Sequence, residues 1–351
     1  MRLGTKAGAK AAAFGALALL ATAGIAGDDP SFTESEIRAI IAHGPWPAPA
    51  TSDPTNRVSG QRDAIYFGEI LFFDKRLSPA GKFACNTCHV PERNWTDNRT
   101  RGAALAEVDR NTPTLMNLRL GRSFGWDGAT DRLWAQSIRP ILDPRELGAS
   151  SRHVAELVRK DPQLACRYEK AFGAPPSASD DQAVLADLGK ALGALVETFE
   201  TPPTPFDRFR SALARGERIQ PWVYSEAAQR GAKIFVGKGN CSNCHSGPNF
   251  TNGELHDNGF SRLAATGRTD LGRNGAFKVP TLRHLLLTAP YGHHGEVATL
   301  AQAVRHYSET GSREIEPRKL TAAEQSDLVV FLESLGTFAN PWRPEDRGAC
   351  F

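Results

Sequence analysis

The chain has 351 residues, room for two domains of ordinary size, with 42 basic and 39 acidic side chains and a formal charge of +3. The excess is local: Arg2, Lys6 and Lys10 precede every acidic residue, and without them the two signs balance at 39 each. That balance offers no surface for nucleic acid or an anionic membrane.

The three basic residues lead into an Ala-rich apolar run from Ala11 to Ala26, with small residues at Gly24 and Ala26 and the polar Asp28-Asp29-Pro30 directly after. This is the pattern of a secretory signal peptide over residues 1–26, cleaved near Ala26, and the run is shorter than the roughly 20 apolar residues that span a bilayer. No other segment is apolar enough to cross a membrane. The expected mature chain is therefore periplasmic, without stable membrane insertion.

Beyond the leader, hydrophobic periodicity is helical, and no convincing alternating strand appears. Ile65, Phe67, Ile70, Leu71, Phe72 and Leu77 outline a helix that runs into Cys85-Asn86-Thr87-Cys88-His89. Ser179-Asp180-Asp181-Gln182 reads as a capping box opening a helix with Leu188, Leu192, Leu195 and Phe199 on one face. Thr201-Pro202-Pro203-Thr204-Pro205 cannot continue that helix and marks a junction between domains of residues 27–200 and 201–351. The pattern then repeats. Ala227, Ala232, Ile234 and Phe235 outline a helix ahead of Cys241-Ser242-Asn243-Cys244-His245, and a capping box at Thr321–Glu324 opens a last helix carrying Leu328, Phe331, Leu332 and Leu335.

Each Cys-x-x-Cys-His unit has the form of a c-type haem attachment site. Two thiols add to the haem vinyl groups as thioethers, and the adjoining imidazole lies beneath the ring as proximal iron ligand. A zinc site would have to unite half-sites more than a hundred residues apart, and a redox dithiol has no need of His next in line both times. The fold expected is mainly α, with two cytochrome c-like domains, each binding one covalent c-type haem among long loops. Four cysteines, Cys85, Cys88, Cys241 and Cys244, are committed to haem, with His89 and His245 on iron. Cys166 and Cys350 remain; export allows them to pair, and spacing leaves a disulfide and two free thiols equally open.

Several ordered segments together carry a resemblance. In the first half they are Leu71-Phe72-Phe73-Asp74, the haem motif, Arg110-Asn111-Thr112-Pro113-Thr114 and Trp126-Asp127-Gly128. In the second they are Pro205-Phe206-Asp207, the haem motif with Ser246-Gly247-Pro248-Asn249-Phe250, Phe277-Lys278-Val279-Pro280-Thr281-Leu282-Arg283, and Thr288-Ala289-Pro290-Tyr291. The chain resembles the bacterial di-haem cytochrome c peroxidase/MauG family over nearly all of its expected mature length.

The resemblance implies a role for particular residues. The first haem is the peroxide site, with Gln136 and Glu146 at the distal pocket positions and Trp126 between the two haems as an electron relay. Ordinary peroxidases of the family cap the resting first haem with a His; that position falls near Ala103, which cannot ligate, so the iron is expected to be open to peroxide without prior reduction. The sixth ligand of the second haem, a Met in those enzymes, falls on Tyr307, with His306, His293 and His294 as alternatives. No Met follows Met116. A phenolate is a hard anionic donor that lowers the haem potential, which is the MauG pattern, in which both haems share two oxidising equivalents.

A calcium ion between the haems is implied, with Asn111 and the Thr288 and Pro290 carbonyls as an all-oxygen set. Arg283 is implied as a haem-propionate partner. The function expected is a MauG-like peroxidase using hydrogen peroxide and a periplasmic redox protein as donor or substrate, with maturation of a tryptophan-derived quinone in methylamine dehydrogenase as one task. That task is thought to use a surface aromatic just before the second haem motif; here Val236–Asn240 contains none and Phe235 is nearest, which puts it in doubt. The alternatives are an ordinary cytochrome c peroxidase and a non-enzymatic di-haem electron carrier.

Overall fold

The computed structural model describes residues 31–49, 52–217, 219–260, 272–312 and 314–337, with Met1 and Cys350. The expected signal peptide and its cleavage point lie outside these residues. The architecture is mainly helical: α1 (Glu34–Ile41), α2 (Arg62–Phe73), α3 (Leu133–Leu142), α4 (Ser151–Lys160), α5 (Pro162–Phe172), α6 (Asp181–Val196), α7 (Pro205–Ala214), α8 (Glu226–Val236), α9 (Leu300–Glu309) and α10 (Ala322–Ser334). One two-residue antiparallel pair, β1 (Leu255–His256) with β2 (Phe277–Lys278), interrupts them. No helix among the described residues is long and apolar enough to cross a membrane.

Two clusters of buried side chains organise the chain. The first runs from Val58 to Phe199 and centres on α6, against which α2, α3 and α4 pack. The second runs from Phe206 to Leu335 around α8 and α10, and it also takes in Ile40, so α1 rests on α7 and α8. In each cluster the helix leading into a Cys-x-x-Cys-His unit crosses the cluster's last helix at a glycine. A Cβ at Gly68 would meet the Ala191 carbonyl at 2.2 Å, and one at Gly231 would meet the Asp327 carbonyl at 2.1 Å. Such approach of two backbones requires a residue with no side chain. The doubled haem unit of the sequence is thus a doubled helix crossing.

Local sequence fixes the ends of these helices. The Thr321–Glu324 box forms as read: Thr321 N donates to Glu324 Oε2 at 2.7 Å, and Glu324 N donates to Thr321 Oγ1. The box read at Ser179 does not form. Asp180 is the N-cap, accepting from Ala183 N at 2.8 Å, while the Ser179 carbonyl accepts from Arg159 and Gln182 bonds Ser151. A carboxylate one residue later satisfies the same orphan N–H and adds a favourable charge at the helix N-terminus. Leu188, Leu192 and Leu195 are buried on α6 as expected. Phe199 lies past the helix end and stacks on Trp95 with centroids 3.8 Å apart.

Two further links tie distant segments. Cys166 on α5 forms a disulfide with Cys350, closing the pairing that spacing left open. Arg283 is wholly buried in a bidentate ion pair with Asp207, at 2.8 and 2.9 Å, and its Nε donates to the Pro248 carbonyl. The expected propionate role for Arg283 is therefore overturned: its fork is spent on Asp207, and it holds the loop after the second haem motif against α7. Burial opposes the Asp207 charge, but Arg283 and the Thr204 cap outweigh it and hold the carboxyl below its ordinary range.

Candidate active site

The two motifs fold alike. Cys85–Thr87 and Cys241–Asn243 each form one 3-10 turn, and the His89 and His245 N–H groups reach back to the Cys85 and Cys241 carbonyls at 3.0 and 2.9 Å. This backbone bond sets each imidazole one turn from the first thiol of its pair. His89 Nδ1 then sits 2.9 Å from the Trp95 carbonyl, and His245 Nδ1 3.1 Å from the Phe250 carbonyl. A carbonyl only accepts, so each Nδ1 carries the proton and each Nε2 keeps a lone pair, the arrangement of a metal-ligating histidine. Burial lowers the pKa of both imidazoles, that of His245 to about 4, and keeps them neutral.

A cavity of about 1460 Å³ joins the two halves, lined by Cys85, Cys88 and His89 on one side and Cys241 and His245 on the other. Paired thiols, neutral imidazoles with fixed tautomers and a large space between them fit two covalent haem groups. The same wall contains Trp126, Gln136, Glu146, Tyr307, Asn111, Thr288 and Pro290; of the residues expected at or between the haems, Cys244, Arg283 and the alternative ligand His306 are not on it, and Cys244 completes the second motif beside it.

The first side is built by α3 and the turn after it. Glu146 lies in a backbone turn closed by its own N–H on the Asp143 carbonyl at 3.0 Å. Burial, reinforced by the Asp143 charge and opposed by Arg145 and Arg139, pushes its carboxyl up to about 7. Gln136 on α3 accepts through Oε1 from Thr130 Oγ1 at 3.0 Å and from Arg139 at 3.3 Å. Its amide N–H groups are left to donate. Ala103 lines the cavity close to the first motif, its carbonyl 3.9 Å from Cys88 Sγ.

Trp126 is held from both halves, its indole N–H donating to the Asn111 carbonyl at 2.7 Å and its own carbonyl accepting from Lys278 N at 2.8 Å. Asn111 donates its amide N–H to the Arg99 carbonyl at 2.7 Å, which leaves Oδ1 as its remaining acceptor, and Thr288 and Pro290 line the same cavity. On the second side Tyr307, from α9, faces the cavity, and burial raises its phenol pKa. His306 turns away, with Nε2 2.8 Å from the Asn258 carbonyl. His293 and His294 line the wall; His293 stacks on Phe277 at 3.6 Å, and His294 Nδ1 bonds the Asp109 carbonyl at 2.8 Å.

Three positions carried no assignment from sequence. The carbonyls of Trp95 and Phe250 orient the two imidazoles, six residues after His89 and five after His245, in left-handed backbone at φ 61° and 52°. Their nearly equal offset from the two motifs was the available signal. Lys278, on the cavity wall, is the third.

Known proteins are similar to this chain. Residues 62–215 match the model of the di-haem cytochrome c peroxidase family. The chain is 32% identical over 340 residues to the methylamine utilization protein MauG of Methylorubrum extorquens, covering 92% of this chain and 91% of that protein. It is 33% identical to the cytochrome c551 peroxidase of Nitrosomonas europaea, over 78% of this chain and 80% of that one. A solved MauG-like protein associated with microbial copper homeostasis superposes with a TM-score of 0.69 at 26% identity, over 86% of this chain and 99% of that one. With the paired motifs on one cavity wall, these likenesses establish that the chain belongs to the di-haem cytochrome c peroxidase/MauG family, as an oxidoreductase with two haem c groups.

Proposed function

We propose that the protein is a periplasmic MauG-like peroxidase that reduces hydrogen peroxide at the His89 side and draws electrons from a protein donor or protein substrate through the His245 side. The observation that carries this reading is Glu146, a carboxyl held near neutral pKa in the cavity wall that also presents His89 and Gln136. When bound, the first haem supplies the iron on which the peroxide O–O bond breaks, and the second supplies a store for electrons.

The chain's own residues supply the rest. Glu146 takes the proton from the near peroxide oxygen and returns it to the far one, a transfer most effective when donor and acceptor pKa values lie near the working pH. Gln136, its oxygen already engaged by Thr130 and Arg139, points N–H donors at the peroxide and orients it. Ala103, with no donor atom in its side chain, would supply no capping ligand to the first iron. Trp126 would serve as the relay between the halves, and Tyr307, facing the cavity from α9, would hold the second iron as an anionic oxygen donor. Asn111 Oδ1 and the Thr288 and Pro290 carbonyls would hold a calcium ion, a hard oxygen set for a hard cation. The working units are residues 27–200 and 201–351, with α1 reaching across to the second.

The stretch before the second motif presents no surface aromatic, since Phe235 is wholly buried. This favours a soluble redox protein as donor over quinone maturation in a docked partner. The test is one equivalent of hydrogen peroxide added to the fully oxidised holoprotein, followed by stopped-flow absorbance. A fast change without prior reduction supports the proposal. Reaction only after one haem is reduced points to an ordinary cytochrome c peroxidase, and no reaction in either state to an electron carrier.

A further inference from the structure

With Arg283 spent on Asp207, the cavity needs another cation for the acidic groups that haem brings into it. Each haem carries two propionates, and burying a carboxylate without a counter-ion is costly. Three of the six arginines lining the wall already hold a carboxylate of the protein: Arg101 pairs with Glu107, Arg110 with Asp127, and Arg145 with Asp109 and Asp143.

Lys278 does not. Its backbone is fixed by the β1–β2 pair and by its N–H on the Trp126 carbonyl, and its neighbour Phe277 is stacked on His293. The side chain is half-buried in the cavity wall, and no ion pair or hydrogen bond engages its ammonium among the described residues. Burial alone, with no acidic group opposing it, pulls its pKa down to about 8. A long cationic side chain on a short paired strand, lining a cavity with no partner for its ammonium among the described residues, is arranged for an anion that arrives with a ligand.

We propose that Lys278 is the counter-ion of a haem propionate, placed beside Trp126 between the two haem sites, and that its charge raises the midpoint potential of that haem. A nearby positive charge stabilises the added electron, and in a wall of low dielectric the effect is large and local. The inference rests on the presence of two haems and not on peroxide chemistry.

The test is spectroelectrochemical titration of both haems in the full-length holoprotein, without peroxide, for K278M, K278Q and K278R. The expected result is a negative shift of one midpoint potential in K278M and K278Q, little change in the other midpoint, and near-wild-type values in K278R. Two unchanged midpoints in K278M would overturn the proposal, as would a shift in K278R equal to that in K278M. Loss of haem attachment in K278M and K278Q, with attachment kept in K278R, would also support a counter-ion. Loss in all three would assign Lys278 to packing instead. A protein inert to peroxide leaves this readout intact.

Discussion

The Trp126 carbonyl accepts the backbone N–H of Lys278 at 2.8 Å, so an aromatic of the first half is seated on the short strand of the second. The indole N–H is anchored in turn on Asn111, which fixes ring direction as well as position. A side chain held at both ends keeps its geometry through a redox cycle. In W126F the ring is smaller, loses the Asn111 bond and is far harder to oxidise. Haem content should remain two per chain, while electron exchange between the haems slows. Rapid-mix reduction, reading the two haems at separate wavelengths, checks this; equal exchange in W126F and wild type would remove Trp126 from the relay.

Glu146 gives a pH dependence whose sign is fixed by its environment. Its carboxyl is raised to about 7, so the proton-accepting form is present above that pH and is lost below it. The rate of the peroxide reaction should therefore fall with one ionisation as pH drops through about 7. E146Q should lower that rate by roughly 10²- to 10⁴-fold, the usual worth of a positioned acid-base group, and should erase the ionisation. Stability should move the other way. A carboxyl with a raised folded-state pKa binds more protons folded than unfolded between its unfolded value and about 7, so it costs stability as pH rises through that window. E146Q should then be the more stable protein above neutrality, by on the order of 1–3 kcal/mol in denaturant titrations. Identical pH–rate limbs in E146Q and wild type would assign the proton step elsewhere.

Asp207 and Arg283 form the second buried device. Removing one member leaves an uncompensated charge in the interior, which typically costs about 3–5 kcal/mol. D207N should lose stability on that scale. Because the Asp207 carboxyl is depressed, its contribution is present above the ordinary carboxylate range and is lost as pH falls through the lowered folded value. Urea unfolding of D207N and wild type at neutral and acid pH should show the gap closing at acid pH; a gap that does not depend on pH would mean that packing carries the effect.

Helix positions, the doubled haem unit and the Thr321 cap were legible because each depends on residues within a few positions of one another. The cavity's membership was legible through ordered family segments, with Gln136 and Glu146 on the wall that presents His89. What could not be read depends on partners far along the chain. Arg283 looks like a free bidentate donor until the fold brings Asp207, 76 residues away, into its fork. Ser179 and Asp180 are both good N-caps, and tertiary contact through Arg159 selects the second. The Trp95 and Phe250 roles use a carbonyl, which side-chain identity does not report.

The Cys166–Cys350 disulfide ties the C-terminal end to α5 across a separation of 184 residues, far from either haem motif in sequence. Lys170 Nζ and Gln163 Oε1 also hold the Cys350 backbone, at 3.1 and 2.9 Å. Closing so long a loop restricts the unfolded chain, and removing the link should cost up to about 4 kcal/mol, less where the remaining bonds keep the tail in place. The double variant C166S/C350S should melt at lower temperature with unchanged haem absorbance. Altered haem spectra in that variant would show that the tail also shapes the cavity.

Tyr307 offers the sharpest division between the two enzyme types. It reaches the cavity from α9, while the adjacent His306 is tied to the Asn258 carbonyl behind it. Burial holds the phenol protonated in the absence of metal, so ligation must exchange a proton for the ferric charge and should release that proton. An anionic oxygen donor stabilises the oxidised iron over the reduced one. Y307F removes the donor and should raise the second haem's potential; Y307M supplies a soft neutral donor and should raise it further, toward that of an ordinary cytochrome c peroxidase. Both should keep two covalent haems, because attachment depends on Cys241, Cys244 and His245. Redox titration with absorbance and paramagnetic resonance spectra reads the outcome. If neither substitution changes the second haem's spectrum, Tyr307 is a packed wall residue, and His293 or His294 becomes the residue to vary next.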